Sequence, residues 1–198
     1  SRLRKECDRW QLDMRDAHLI PESILDEEEQ TVGDRWSILS SGAEGRKRVE
    51  RLLTLAKLAN SVDSNDMKAA KDAANTFFAA FMEDDAAARW WAVTGVTNGF
   101  SGGRPAEDML QSAAKDKSAA VRVAAARGLH QLGKTDEAVS LLLQELKSDS
   151  DFVRHAAIVE LDDIGAAATR AKPEVTRLRA ETKNGYIKNV AEHLLQSL

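Results

Sequence analysis

The residues of this chain that could bind a metal are four histidines: His18, His130, His155 and His193. A zinc site needs several ligands that converge on one point, and catalytic zinc is often indicated by two histidines one helical turn apart. These histidines lie far apart along the chain, and no HExxH pattern occurs. We therefore predict structural roles for them, and no metal ligand.

Two pairs of carboxylates and one thiol could support catalysis: Asp84-Asp85, Asp162-Asp163 and Cys7. General acid–base chemistry needs an apolar cleft that raises one carboxyl pKa, and no such cleft is evident. Capping and solvation are favoured, because a negative charge before a helix suits the helix dipole. Cys7 has no histidine nearby except His18, and nucleophile elbows and glycine-rich phosphate loops are absent from the sequence. We predict no catalytic residue, and that this segment is not an enzyme.

The adjacent tryptophans Trp90 and Trp91 could form part of a binding surface. Neighbouring helical positions point about 100° apart, so the two rings cannot face the same core. Core or interface packing is the favoured interpretation. The alternative is ring stacking on a base or sugar, as in single-strand binding proteins.

The elements that position these side chains are predicted by an internal repeat. Arg89, Arg122, Arg154 and Lys188 follow one another at intervals of 33, 32 and 34 residues, and each opens a similar apolar pattern. A period of this length indicates stacked helical hairpins. We predict that these side chains bond to an Asp or a backbone carbonyl of the adjacent turn. The alternative is a ligand-binding groove formed by Trp90, Trp91, Arg122 and Arg154.

The predicted fold is all-α: a helical-repeat superhelix of about four repeats, preceded by a short N-terminal helical segment. Apolar spacing predicts a first helix over residues 2–17, and a procession of helices follows residue 46. The small residues of 40–45 predict a linker there. We accordingly divide the chain into residues 1–45, an N-terminal helical segment, and residues 46–198, the repeat domain.

Composition excludes several classes of function. The formal net charge of −4 in 198 residues argues against a broad phosphate-binding surface and hence against nucleic acid as the partner. No apolar run approaches the roughly 20 residues that span a bilayer. The chain begins without Met inside a charged helical pattern, which predicts a piece of a longer polypeptide.

Segments of the chain resemble two known families. AAVRVAAARGLHQLG (119–133) and DFVRHAAIVELDDIG (151–165) resemble HEAT repeats. DRWQLDMRDAHLIPES (8–23) is similar to a stretch that follows the catalytic domain of many bacterial sulfatases, and ARWWAVTGV (88–96) and residues 171–198 are similar to segments of their helical tails. The residues that fill the sulfatase pattern at 8–23 are Arg9, Trp10, Arg15, Asp16, Leu19, Ile20, Pro21 and Glu22.

The sulfatase resemblance implies that this chain is the non-catalytic C-terminal part of an enzyme of the arylsulfatase or N-sulfoglucosamine sulfohydrolase type. Such enzymes use a formylglycine made in a C/S-x-P-x-R motif, and a calcium ion. That motif is absent, so the resemblance carries over no catalytic, metal or cofactor residue to this segment.

The resemblance also implies partners and a setting. The partner is the catalytic domain of the same polypeptide, with Arg9, Trp10, Arg15 and Asp16 predicted as the docking surface because Trp and Arg dominate interface anchors. A sulfated glycan or another protein is a further possible partner. Sulfatases of this type are commonly exported, which implies a periplasmic or extracellular parent. The alternative is a free-standing HEAT-repeat protein that binds protein or nucleic acid.

Overall fold

The fold is known from a computed structural model that describes residues 2–40, 42–62, 66–99 and 103–198. These residues form helices and contain no strand, as the all-α prediction requires. The chain divides into two compact units, Ser1–Phe100 and Ser101–Leu198.

The described residues of the first unit form six α-helices. They are α1 (Arg2–Met14), α2 (Glu22–Val32), α3 (Arg35–Ser40), α4 (Gly42–Ala59), α5 (Met67–Phe81) and α6 (Ala86–Gly99), with a 3₁₀ turn at Ala17–Leu19. Helix α4 packs against α6 and also carries α1, α3 and the 3₁₀ turn. The core of the unit therefore forms around α4 and α6.

One glycine sets how closely α5 and α6 approach each other. A Cβ atom placed on Gly95 of α6 would lie 2.2 Å from the ring of Phe77 on α5. That ring is fully buried. Glycine is thus needed here for space, since real Cβ contacts are not this short.

In the second unit, the residues that the structure describes, 103–198, form three helical hairpins. Its helices are α7 (Arg104–Ala113), α8 (Ala119–Gln131), α9 (Thr135–Glu145), α10 (Asp151–Ile164), α11 (Lys172–Glu181) and α12 (Gly185–Ser197), with a 3₁₀ helix at Gly165–Ala171. The second helices form one layer, in which α10 packs against both α8 and α12. Each hairpin thus buries its apolar face on the next one, as in a solenoid of repeats.

The predicted linker at 40–45 is wrong for Gly42–Gly45. These residues form the first turn of α4, and Gly45 is buried. Tertiary packing overrides the low helix propensity of glycine here. Ser41 lies outside the described residues. The boundary drawn at 45/46 therefore falls inside α4, whereas the division of the chain into two compact units falls between residues 100 and 101.

Candidate functional site

The repeated arginines bond to the turn that precedes their own helix. Arg89 Nη1 donates to the carbonyl oxygens of Glu83 (3.0 Å) and Asp84 (2.8 Å). Arg122 Nη1 donates to those of Asp116 (2.9 Å) and Lys117 (3.1 Å).

Arg154 repeats the pattern, since it donates to the carbonyl oxygen of Ser148 and to the carboxylate of Asp151. The prediction that these side chains bond to a backbone carbonyl or an Asp of the adjacent turn is therefore confirmed for all three arginines. The fourth member of the series, Lys188, is exposed.

Arg122 also joins two successive repeats. Its Nε and Nη2 atoms lie 2.6 and 2.8 Å from the two carboxylate oxygens of Glu145 on α9. Glu145 is only 5 % exposed, so its charge depends on this bidentate partner. Sequence reasoning missed Glu145, because nothing in the sequence separates it from the surface glutamates.

Asp151 is the corresponding junction of the last two repeats. Its carboxylate accepts from Asn184 Nδ2 at 3.1 Å, in the turn before α12, and from Arg154. The hydrogen bond from Asn184, together with that from Arg154, holds the pKa of Asp151 below its ordinary value, although burial opposes this. The groove role predicted for Arg122 and Arg154 stays a prediction, and both guanidinium groups already have structural partners.

The two tryptophans pack differently. Their rings meet edge to face, with centroids 4.8 Å apart. Trp91 Nε1 donates to the carbonyl oxygen of Leu19 at 2.7 Å. Trp91 therefore ties α6 to the 3₁₀ turn of the N-terminal segment, as the packing interpretation predicts. A groove that uses Trp90 and Trp91 stays a prediction.

The four residues predicted as a docking surface separate into two pairs. Arg15 Nη1 donates to the carbonyl oxygen of Leu39 at 3.2 Å. Asp16 caps the 3₁₀ turn by accepting from the backbone N–H of His18 at 3.1 Å. Burial opposes the charge of Asp16, but hydrogen bonds from His18 and Gln11 outweigh it and lower the pKa of the carboxyl. Arg15 and Asp16 thus serve the fold of the first unit.

The other pair faces solvent. Trp10 is 59 % exposed, and Arg9 is exposed and pairs with Glu6 at 2.8 Å. The apolar residues that follow in the same segment, Leu19 and Ile20, are buried. Arg9 and Trp10 are thus the more exposed members of the predicted set, while Arg15 and Asp16 are half-buried, and the docking role of all four stays a prediction.

His193, Asp162 and Asp85, from the sets of histidines and paired carboxylates, have hydrogen-bond partners within the fold. His193 Nδ1 lies 2.8 Å from Asp162 Oδ1, which links α12 to α10. Asp85 accepts from the backbone N–H of Ala87 and caps the start of α6, as predicted for this pair. Within the described ranges, no group of three or more His, Cys, Asp or Glu side chains could hold a metal ion. No helix in that part of the chain is long and apolar enough to cross a membrane.

The strongest charge network of the first unit was not predicted. Arg48 on α4 lies between Glu28 on α2 and Asp85 before α6, with its closest contacts at 2.6 and 2.7 Å. Burial opposes the charge of Arg48, but the hydrogen bonds to both carboxylates outweigh it and raise the pKa of the guanidinium. Glu28, in the acidic run at 26–30, thus supplies an internal partner from within α2.

Comparison with known proteins agrees with this architecture. A family model of HEAT repeats matches residues 74–162 and 106–196, which together span more than half of the chain. The chain therefore belongs to the HEAT-repeat family. No curated protein matches it. The repeats are thus shown by both sequence and fold, and neither comparison links the chain to sulfatases.

Proposed function

We propose that this chain is a non-catalytic HEAT-repeat scaffold that binds another protein. The observation that carries the proposal is a contrast between the repeated arginines, which bond within the fold, and the large apolar side chains of α1, which are exposed. Arg89, Arg122 and Arg154 satisfy turns and junctions of the fold. Large apolar side chains, in contrast, stand exposed on α1. Stacked repeats typically offer such surfaces to protein partners.

The non-catalytic part of this proposal has a direct test. The purified 198-residue chain should not hydrolyse a chromogenic sulfate ester such as 4-nitrophenyl sulfate, with or without added calcium. Turnover that persists through a second purification step and is lost on thermal unfolding would contradict the proposal.

The finer proposal is that the partner is a sulfatase catalytic domain in the same polypeptide. It is supported by the order of the segments 8–23, 88–96 and 171–198. The first segment folds onto α4 and α6, so a catalytic domain placed before it would be held close to the first unit. Formylglycine and calcium would then belong to that domain, and no residue of this chain is assigned to them.

Reading the residues encoded upstream of Ser1 tests the finer proposal. A C/S-x-P-x-R motif in a sulfatase-like domain is expected, and its absence would contradict the sulfatase parent while leaving the scaffold proposal intact. In the longer polypeptide, Trp10→Ala should weaken the contact between the catalytic domain and this chain and lower the melting temperature of the catalytic domain. Met82→Ala, an exposed apolar side chain outside the N-terminal segment, is the matched control.

A further inference from the structure

Helix α1 presents an apolar stripe that nothing in the described chain covers. Its residues are Leu3, Cys7, Trp10 and Met14, at successive spacings of four, three and four. This is the a/d spacing of helices that pair with other helices. Leu3 is 82 % exposed and Met14 53 % exposed, and Cys7 is exposed.

Residues of α1 outside the stripe contact α4. Asp8 pairs with Lys57 at 2.6 Å, and Asp13 lies 3.4 Å from Arg46, so α1 is held on α4 by polar contacts. No residue of α1 is buried. The helix therefore keeps its apolar residues for a surface outside the first unit, and the packing of that unit does not explain their exposure.

An apolar pocket of about 280 Å³ continues the stripe at its C-terminal end. Trp10 and Met14 line it together with Trp36 and Leu39. Trp36 is itself 73 % exposed. A side chain that arrived beside Met14 would enter this pocket.

The stripe is complementary to itself when two copies of α1 run antiparallel. Leu3 of one copy then lies opposite Met14 of the other, and Cys7 lies opposite Trp10. The Cys7–Trp10 layers match a small side chain with a large one across a two-fold axis, and the Leu3–Met14 layers pair two flexible side chains of similar size. Leu3 of each copy also reaches the pocket beside Met14 of the other. A parallel arrangement would instead place Trp10 on Trp10.

The charges beside the stripe are also self-complementary. Arg2, Glu6, Arg9 and Asp13 each precede a stripe residue by one position, and all four are exposed. In the antiparallel pair this row meets its own copy, because a two-fold axis perpendicular to the helices brings like edges together. Arg2 then faces Asp13 and Glu6 faces Arg9, so every cross-pair joins opposite charges. These contacts would form beside or in place of the exposed pairs that Asp13 makes with Arg46, and Arg9 with Glu6, within one chain.

We propose that α1 pairs antiparallel with α1 of a second copy of this chain, through the stripe Leu3, Cys7, Trp10 and Met14. The inference rests on the coarser proposed function, a protein-binding scaffold, and gives the Trp10 surface a second copy of this chain as its partner in place of a catalytic domain. One helix pair and a pocket bury less than the roughly 1,200 Å² of a standard interface, so the dimer is a weak, concentration-dependent one.

Sedimentation velocity of the 198-residue chain tests the dimer between about 5 and about 500 µM. Wild type should pass from monomer to dimer over that range. Trp10→Ala should weaken association at least about tenfold. Met82→Ala should leave it unchanged, and circular dichroism should show that both variants are folded. A wild-type monomer throughout, or a dimer indifferent to Trp10→Ala, would overturn the proposal.

A charge swap tests the antiparallel orientation. Arg2→Glu and Asp13→Lys should each weaken self-association about fivefold to tenfold, because each places two like-charge contacts in the dimer. An equimolar mixture of the two variants should recover it. In the mixed dimer the introduced glutamate faces the introduced lysine, and the unchanged Asp13 of one copy faces the unchanged Arg2 of the other.

Failure of the mixture to recover would overturn the antiparallel pairing. If the stripe instead holds a catalytic domain of a longer polypeptide, this chain stays monomeric, which overturns the dimer and leaves the scaffold proposal standing.

Discussion

The two units of the molecule differ in whether their polar contacts follow the repeat. In the second unit, Arg122 bonds to carbonyl oxygens five and six residues earlier, as Arg154 does at its own turn, and it also pairs with Glu145, 23 residues later. In the first unit, Arg48 bonds to Glu28 and Asp85, which lie 20 and 37 residues away. A contact set by the repeat can recur in every hairpin, whereas a contact such as that of Arg48 occurs only where non-repeated segments meet.

Arg89 shows that contacts that follow the repeat are not confined to the second unit. It lies in the first unit and makes the same turn contact as Arg122. The first unit is thus one repeat-like hairpin, α5 and α6, to which the N-terminal helices have been added around α4. Substitutions should therefore act according to the local mode of contact, whichever unit they fall in.

The largest expected effect is that of Arg122→Ala in the second unit. It removes the bidentate partner of the buried Glu145 carboxylate and should cost about 3–4 kcal/mol of the free energy of unfolding. Chemical denaturation monitored by circular dichroism measures the loss. Lys188→Ala, the exposed position of the same series, is the control and should change stability by less than about 0.5 kcal/mol. Equal losses at the two positions would show that the turn contact is unimportant.

Gly95→Ala should be next, with a loss of about 2–3 kcal/mol. The added methyl group would overlap the buried Phe77 ring, and neither α5 nor α6 can move without disturbing the core around α4. Gly185→Ala is the matched control, since nothing lies within 4 Å of its added Cβ. Thermal melts of both variants make the measurement, and a neutral Gly95→Ala would mean that the α5–α6 interface is loosely packed.

Arg48→Met tests the contacts that occur where non-repeated segments meet, and it should lower the free energy of unfolding by about 2 kcal/mol. The substitution leaves the half-buried carboxylates of Glu28 and Asp85 without their shared cation, while Met preserves much of the apolar stem. Arg46→Met is the control, because its pairs with Asp13 and Glu50 are exposed and worth little. Urea titrations at low and high salt should show a loss at Arg48 that salt hardly changes.

Whether a contact recurs with the repeat also explains which features the sequence could predict. The period of Arg89, Arg122 and Arg154 predicted the hairpins, and the same period predicted that their side chains bond to the preceding turn. Both follow from local geometry, which the chain repeats. Gly133 ends α8 with φ at +79°, as expected after a helix.

Caps and long-range contacts were less predictable. Ser118 precedes α8, but its hydroxyl accepts nothing from the helix and is buried without a partner. Gly165 leads directly into a 3₁₀ helix, with ψ at −136°, rather than closing α10 in the left-handed conformation. The Arg48 network, and the exposure of the apolar side of α1, depend on which segments meet in space, and no spacing in the sequence encodes that.

The smallest expected effect is a dependence of stability on pH that Glu160 gives to the second unit. Burial on α10 raises the pKa of its carboxyl to about 7; the charge of Arg127 opposes this shift and that of Asp163 adds to it. In the unfolded chain the pKa returns to its ordinary value of 4.5. Between these two values the folded protein holds the proton more tightly than the unfolded one, so stability falls as pH rises from about 4.5 to about 7.

Glu160→Gln should remove this dependence. It keeps the size of the side chain but takes no charge, so it should raise the free energy of unfolding by about 1–2 kcal/mol at pH 8 and by almost nothing at pH 4. Urea denaturation at several pH values measures the difference between wild type and variant, and Glu181→Gln, an exposed carboxylate on α11, is the control. A constant difference across the pH range would mean that Glu160 is solvated. A difference that grows above pH 5 would show that Glu160 is ionised in a partly buried position of α10. The charge of Arg127 then offsets only part of the cost of burying that carboxylate.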